Sequence, residues 1–180
     1  MEHSTRARIK TSSQCQVEVL VQFAGIKNWR DRVPTKSTWQ FWFESWVNAM
    51  AVTLSPINQY ALSLQLTTDR QIQQWNAQYR DRDQPTDVLA FAALETTGHQ
   101  FPELLEAEPL YLGDLVISLE TAQRQAESQG HDLTQELMWL ATHGLLHLLG
   151  WDHLDDHDLA QMLEQQAQLI KQTVLLGVSE

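Results

Sequence analysis

From Gln16 to Gln22 the chain sets Val17, Val19 and Val21 on one side of an extended segment, the period-two pattern of a half-buried strand. Gly25 and Pro34 mark loop after it. At Ser37 the period becomes helical: Trp39, Trp42, Phe43, Trp46, Val47 and Met50 recur on one face, and Ser37 with Gln40 has the spacing of a capping box. Such an aromatic stripe can stack bases, but at helical spacing it is chiefly core, and packing on a sheet is the reading adopted. Tyr60 to Leu66 alternates again and predicts a central strand. Thr68 and Gln71 repeat the capping-box spacing before a helix carrying Ile72, Trp75 and Tyr79, which ends near Arg80 ahead of the polar run DRDQP.

Val88 to Ala92 predicts a third strand, and Leu110 to Ile117 a fourth, interrupted by Gly113 and Asp114. Ser118 caps a helix to about Ser128, Asp132 with Gln135 opens the next, and a last amphipathic helix runs from about Asp155 to Val174. Residues 1–14 form a polar arm, and 95–109, with one Gly, two Pro and four Glu, a surface insertion. The order is β, α, β, α, β, β and then three helices. Its two early crossovers suggest parallel strands, and the short link from the third strand to the fourth allows an antiparallel pair.

Length and composition narrow this little further. A chain of 180 residues, 43% hydrophobic, with seven Trp and few Gly or Pro, suits one globular domain over 1–180 and excludes fibrous or low-complexity structure. The single cysteine, Cys15, rules out an intrachain disulfide and suits a reducing, cytoplasmic setting. No apolar run is long enough to span a membrane, and the N-terminus lacks the apolar stretch of a secretory signal. The net charge of −11 argues against a chain that wraps nucleic acid or an anionic membrane. It is uneven, however: residues 1–36 carry +4 and the remainder −15.

The informative chemistry lies in ELMWLATHGLLHLLGWDH, from Glu136 to His153. His143 and His147, four residues apart on a helix, project from one face a turn apart, the spacing at which two imidazoles grip one metal ion. Gly150 supplies a helix end, so the chain can turn back and present His153 as a third ligand. Three neutral imidazoles with an open fourth position describe a catalytic Zn2+ site, one ion per chain. A histidine pair in a Leu-rich helix is often just core. Here the shared helix, the glycine and the third histidine together favour the metal, because burying three imidazoles without a common partner is costly. His3, His99, His131 and His157 lack this context and are read as surface residues.

HGLLHLLGWDH resembles the signature of the bacterial YbeY family, zinc-dependent endoribonucleases. YRDRDQPTDVLAF (Tyr79–Phe91) and LGDLVISLETAQRQA (Leu112–Ala126) match it as well, so the likeness covers about residues 60–175. The resemblance implies a zincin-like α+β fold: a mixed four-stranded sheet with about five to six helices and the metal site at the end of a central buried helix. It implies zinc on His143, His147 and His153, and a functional Arg80 beside the metal. It implies a single-strand-specific endoribonuclease of ribosomal RNA processing, including 16S 3′-end maturation, and of ribosome quality control. The implied partners are ribosomal RNA, the small ribosomal subunit and a ribosome-assembly GTPase, with no DNA and no membrane. Where the family strand carries serine and proline, this chain has Ala90 and Ala92.

Zinc on three imidazoles brings the pKa of a bound water to about 7 and polarises a phosphoryl oxygen, which suits phosphodiester hydrolysis. Arg80 would clamp a phosphate, with Arg82 beside it; without the resemblance, a helix-terminal or surface-pair role for Arg80 would be preferred. Asp152 is the acid nearest the ligands in sequence, either a base or a support for a histidine, and the RNA 2′-hydroxyl is another nucleophile. Two alternatives compete. A zinc peptidase needs a glutamate after the first histidine, where this chain has Gly144. A non-catalytic assembly factor would use zinc only as a structural staple.

Overall fold

The computed structural model describes residues 14–25, 27–96, 107–152 and 155–177. The elements are β1 (Gln16–Phe23), a 3-10 turn at Lys27–Arg32, α1 (Lys36–Ala49), β2 (Gln59–Thr67), α2 (Asp69–Arg80), β3 (Val88–Ala92), α3 (Ala93–Thr96), β4 (Leu110–Ser118), α4 (Leu119–Gln129), α5 (Leu133–Leu148) and α6 (Asp156–Gly177). The polar arm to residue 13 and positions 97–106 of the predicted insertion lie outside the described residues.

The strands form one mixed sheet in the order β1-β2-β4-β3. β1 pairs with β2 and β2 with β4 in parallel, while β3 runs antiparallel to β4 at the edge. The first crossover therefore gives the expected parallel pair. The second does not bring β2 and β3 together, because β4 lies between them. β4 can take that place because its face beside α5 is apolar and buried, as suits a central strand, whereas four of the five residues of short β3 stay half-buried.

Alternation gives the sheet two unequal faces. Val17, Val19, Tyr60, Leu62, Leu64, Leu66, Leu115 and Ile117 point into the main core, which α1 and α5 close. The predicted aromatic stripe is part of this core: Trp39, Trp42, Phe43, Trp46 and Val47 are all buried, and the rings pack edge-on and stacked along α1. Base stacking by these side chains is thereby excluded. On the opposite face, Leu89 and Val116, cross-strand partners, meet Ile72 of α2, with Trp75 and Phe91 packed beside them. β1 is the other edge strand, and α1 covers its exposed polar groups. Asn48 accepts from the Cys15 N–H at 2.7 Å and donates to its carbonyl at 2.9 Å, and Gln40 reaches both Val17 and Val19.

Capping follows the sequence with one shift. Thr68, Ser118 and Asp132 cap α2, α4 and α5, the last through a complete capping box with Gln135. For α1 the cap is Thr35, two residues before the predicted Ser37; its hydroxyl accepts from the Thr38 N–H at 3.2 Å. Thr35 has the extended backbone that a cap requires, at φ −67° and ψ 164°. His131 also departs from its surface reading. It is half-buried, with Nε2 2.5 Å from the carboxylate of the buried Glu136 in the first turn of α5.

Two local features aim the elements that reach the site. In β4 the register slips by one residue between Ala61 and Leu62 of β2, so that Leu112 is the extra residue of a bulge and Gly113 takes φ +136°. A Cβ at Gly113 would fall 2.1 Å from the Phe91 carbonyl oxygen, so only glycine lets β3 and β4 approach here. At the other end of the sheet, Asp69 in the first turn of α2 accepts from the hydroxyls of Ser118 and Thr121 and pairs with Arg124 at 2.8 Å. This clamp fixes α2, whose last residue is Arg80, against α4. Burial pushes the Asp69 carboxyl up, but the two hydroxyls and the guanidinium outweigh it and hold the group below the ordinary carboxylate range.

A carboxylate depressed on folding stabilises the fold above its unfolded pKa of about 3.9 and loses that contribution as pH falls through the lower folded value. Asp69→Asn should therefore be less stable than wild type at pH 7, with the gap closing below about pH 4. Urea unfolding of both proteins at several pH values measures it.

Candidate active site

α5 is apolar on nearly every side, and eleven of its residues are buried. A helix of this kind can sit only inside a core. It packs on β3 and β4 along one side and between α4 and α6 on the others. Gly144 makes the closest approach: a Cβ there would lie 2.7 Å from Leu115 Cδ2 and 3.4 Å from Val88 Cγ2. With Gly144 turned to the sheet, its neighbour His143, and His147 one turn on, emerge half-buried where β3 leaves the helix uncovered.

There the structure has a cleft of about 550 Å³. His143 and His147 form its wall, with Ala90 and Ala92 from β3, Trp139, Trp151, Leu163, Arg80, Asp87 and Asp152 around them. The end of α5 explains how Asp152 arrives. The Gly150 N–H bonds the His147 carbonyl and the Trp151 N–H the Leu146 carbonyl, each at 3.0 Å, a Schellman closure with Gly150 at φ +85°. It turns the chain back along the cleft, as the sequence predicts. His153, the predicted third ligand, lies outside the described residues.

The two imidazoles converge. Their Nε2 atoms are 3.2 Å apart and the rings stand nearly perpendicular, at 82°. Two nitrogens each about 2.0–2.1 Å from one tetrahedral zinc would be separated by about 3.4 Å, so the pair fits that ion without rearrangement. Among the described residues no third His, Cys, Asp or Glu completes a metal-sized cluster with them.

Arg80 is exposed and closes α2 ahead of Asp81, whose left-handed backbone turns the chain toward β3. That brings Arg80 to the same cleft as the histidines. Arg82 is exposed and is not among the cleft residues. The sequence reading missed Asp87, a second carboxylate in the cleft. Its Oδ1 accepts from the Val88 N–H at 2.7 Å and its Oδ2 from Gln125 at 3.0 Å, so it holds the start of β3. Asp152 stands at the exposed rim. Also missed is Gln166 of α6, fully buried and 3.3 Å from His143 Nδ1. Its signal was present: Met162, Gln166, Leu169 and Thr173 are the buried stripe of α6, and a long polar side chain at such a position needs a partner.

Comparison with known proteins agrees with this architecture. The family model described as Endoribonuclease YbeY matches residues 25–174. A protein called Endoribonuclease YbeY from Nostoc sp. (strain PCC 7120) is 50% identical over 157 residues, covering 87% of this chain and 85% of its own. Its namesake from Acaryochloris marina is 55% identical over 139 residues, 77% and 78% of the two chains. The solution structure of TM1509 from Thermotoga maritima superposes with a TM-score of 0.52 at 19% identity over 91% of this chain and 93% of that one, a likeness of fold.

The contact at Gly144 bears on the peptidase alternative, whose glutamate would have to stand there. Gly144→Ala should cost about 1 kcal/mol or less, since the end of the Leu115 side chain can give way. Gly144→Glu should cost about 3 kcal/mol or more, by forcing a carboxylate between helix and sheet. Thermal unfolding of the two variants tests this; an unperturbed Gly144→Glu would contradict the packing.

Proposed function

The chain belongs to the Endoribonuclease YbeY family, and from that premise we propose that it is a zinc-dependent endoribonuclease of single-stranded RNA, acting in ribosomal RNA processing and 16S 3′-end maturation. The observation that carries the metal is the convergence of two Nε2 atoms at 3.2 Å on the wall of an open cleft that also holds an arginine. His143, His147 and, by its place in the sequence, His153 would hold the ion. Zinc bound there would supply a water activated near neutral pH and a positive charge against a phosphoryl oxygen.

The remaining steps fall to the protein. Arg80 sits on a rigid helix end and offers a planar fork to the non-bridging oxygens of the scissile phosphate, whose charge grows in the transition state. Of the two carboxylates in the cleft, Asp87 holds the start of β3 through Val88 and Gln125, and Asp152, at the exposed rim one residue before His153, would take a proton from the attacking group or orient a histidine. Val88, Ala90 and Ala92 leave the sheet side of the cleft smooth and apolar, room for a sugar or base without a specific contact. Arg82, outside the cleft, would meet RNA only beyond the cleavage site.

Charge sets the expected affinity. A chain of net −11 with Arg70, Arg80 and Arg82 as the basic residues along α2 and its exit should bind RNA weakly and lose affinity with salt. Specificity would then come from partners: the small ribosomal subunit and a ribosome-assembly GTPase, in the cytoplasm. No helix among the described residues is long and apolar enough to cross a membrane.

Cleavage of a single-stranded RNA by purified protein, with zinc content measured alongside, tests the proposal. His143→Ala should lose zinc and activity together. Arg80→Ala should keep fold and zinc but lose roughly 10²- to 10³-fold in kcat. An Arg80→Ala protein as fast as wild type removes the phosphate clamp. Full activity in metal-free protein removes the zinc mechanism, and zinc-loaded protein that folds but never cleaves RNA leaves the assembly-factor reading.

A further inference from the structure

Gln166 is the one polar side chain of the α6 stripe whose polar atoms reach the histidines, and both ends of its carboxamide are engaged. Nε2 donates to the Trp139 carbonyl at 2.8 Å, and Oε1 lies 3.3 Å from His143 Nδ1. A carbonyl oxygen cannot donate, so Trp139 fixes which way round the amide stands. Oε1 is then the atom presented to His143, and since it can only accept, Nδ1 must carry the proton. A neutral imidazole has one N–H. The lone pair is left on Nε2, the atom that faces His147 Nε2 at 3.2 Å.

We infer that Gln166 is a positioning residue that holds His143 in its Nδ1–H tautomer and so presents the Nε2 lone pair to the metal. The carboxamide does this as a relay from backbone to ring: Trp139 lies one turn before His143 on α5, so the helix that carries the histidine also sets its proton through a neighbour on α6. Neither the peptide group of Trp139 nor the buried amide can rotate away without leaving a polar atom unpaired, which makes the arrangement stiff. An imidazole without such a partner favours the proton on Nε2, the wrong nitrogen for this geometry. The consequence for zinc rests on the metal reading above; the tautomer does not.

The experiment has two readouts, both on the full chain. Long-range proton–nitrogen NMR of metal-free protein at pH 8 reports which nitrogen of His143 carries the proton, and chelator competition measures zinc affinity. Wild type should show Nδ1–H, and Gln166→Leu should shift His143 toward Nε2–H and weaken zinc about 10- to 100-fold. Gln166→Glu, which keeps an acceptor for Nδ1–H, should restore zinc affinity toward wild type. Nε2–H in wild type overturns the inference whether or not any variant folds. So does a folded Gln166→Leu protein with unchanged tautomer, whatever its affinity. Wild type that shows Nδ1–H but takes up no zinc overturns instead the zinc reading, and with it the role of Gln166 in metal binding.

Discussion

Everything around the site depends on how closely α5 lies on the sheet. That approach is possible because Gly144 presents no side chain to Leu115 and Val88. Once the helix is seated, its rotation is set by the burial of Leu137, Leu140, Ala141, Leu145 and Leu148, and only a narrow sector is left to face open space. His143 and His147 occupy that sector. Their common direction thus follows from apolar packing, and the polar groups spend little of the folding free energy on being aligned.

The rest of the cleft is assembled from ends of elements. Arg80 is the last residue of α2, Asp87 precedes β3, Asp152 follows the Schellman turn of α5, and Gln166 comes from the middle of α6. Each is tied down away from the reacting centre. The Asp69 clamp holds the far end of α2, the bulge at Gly113 sets the path of β3 beside β4, and the capping box at Asp132 starts α5. A site built this way keeps its geometry while its rim stays open, as an enzyme that must admit a polymer requires. The same geometry weighs against peptidase chemistry, because the position that would carry the glutamate lies where helix and sheet leave little space.

Charge and shape divide the work of recognition. The acids are spread through the later two-thirds of the chain, whereas Arg70, Arg80 and Arg82 lie along α2 and its exit. A short basic track beside a half-buried pair of imidazoles suits brief contact with one or two phosphates better than tight binding along a strand.

The strands, the main helices and their caps were legible in the residues, since alternation, 3.6-residue periodicity and cap chemistry act over a few positions; at α1 the cap is Thr35, two residues before Ser37, since both offer a hydroxyl and only the backbone conformation chooses between them. His143 and His147 were legible for the same reason, as was the turn at Gly150. What no local pattern carries is adjacency between distant segments. That β4 would slide between β2 and β3, that Ala90 and Ala92 would line the cleft, that Asp87 would be engaged and Asp152 not buried, and that Arg82 would point elsewhere were decided by packing. Gln166 shows the division most clearly. Its place in an apolar stripe announced that it needed partners, but the partners are a carbonyl 27 residues back and an imidazole 23 residues back. Only the burial of α6 against α5, which excludes water and leaves each buried polar atom to find another, could choose them.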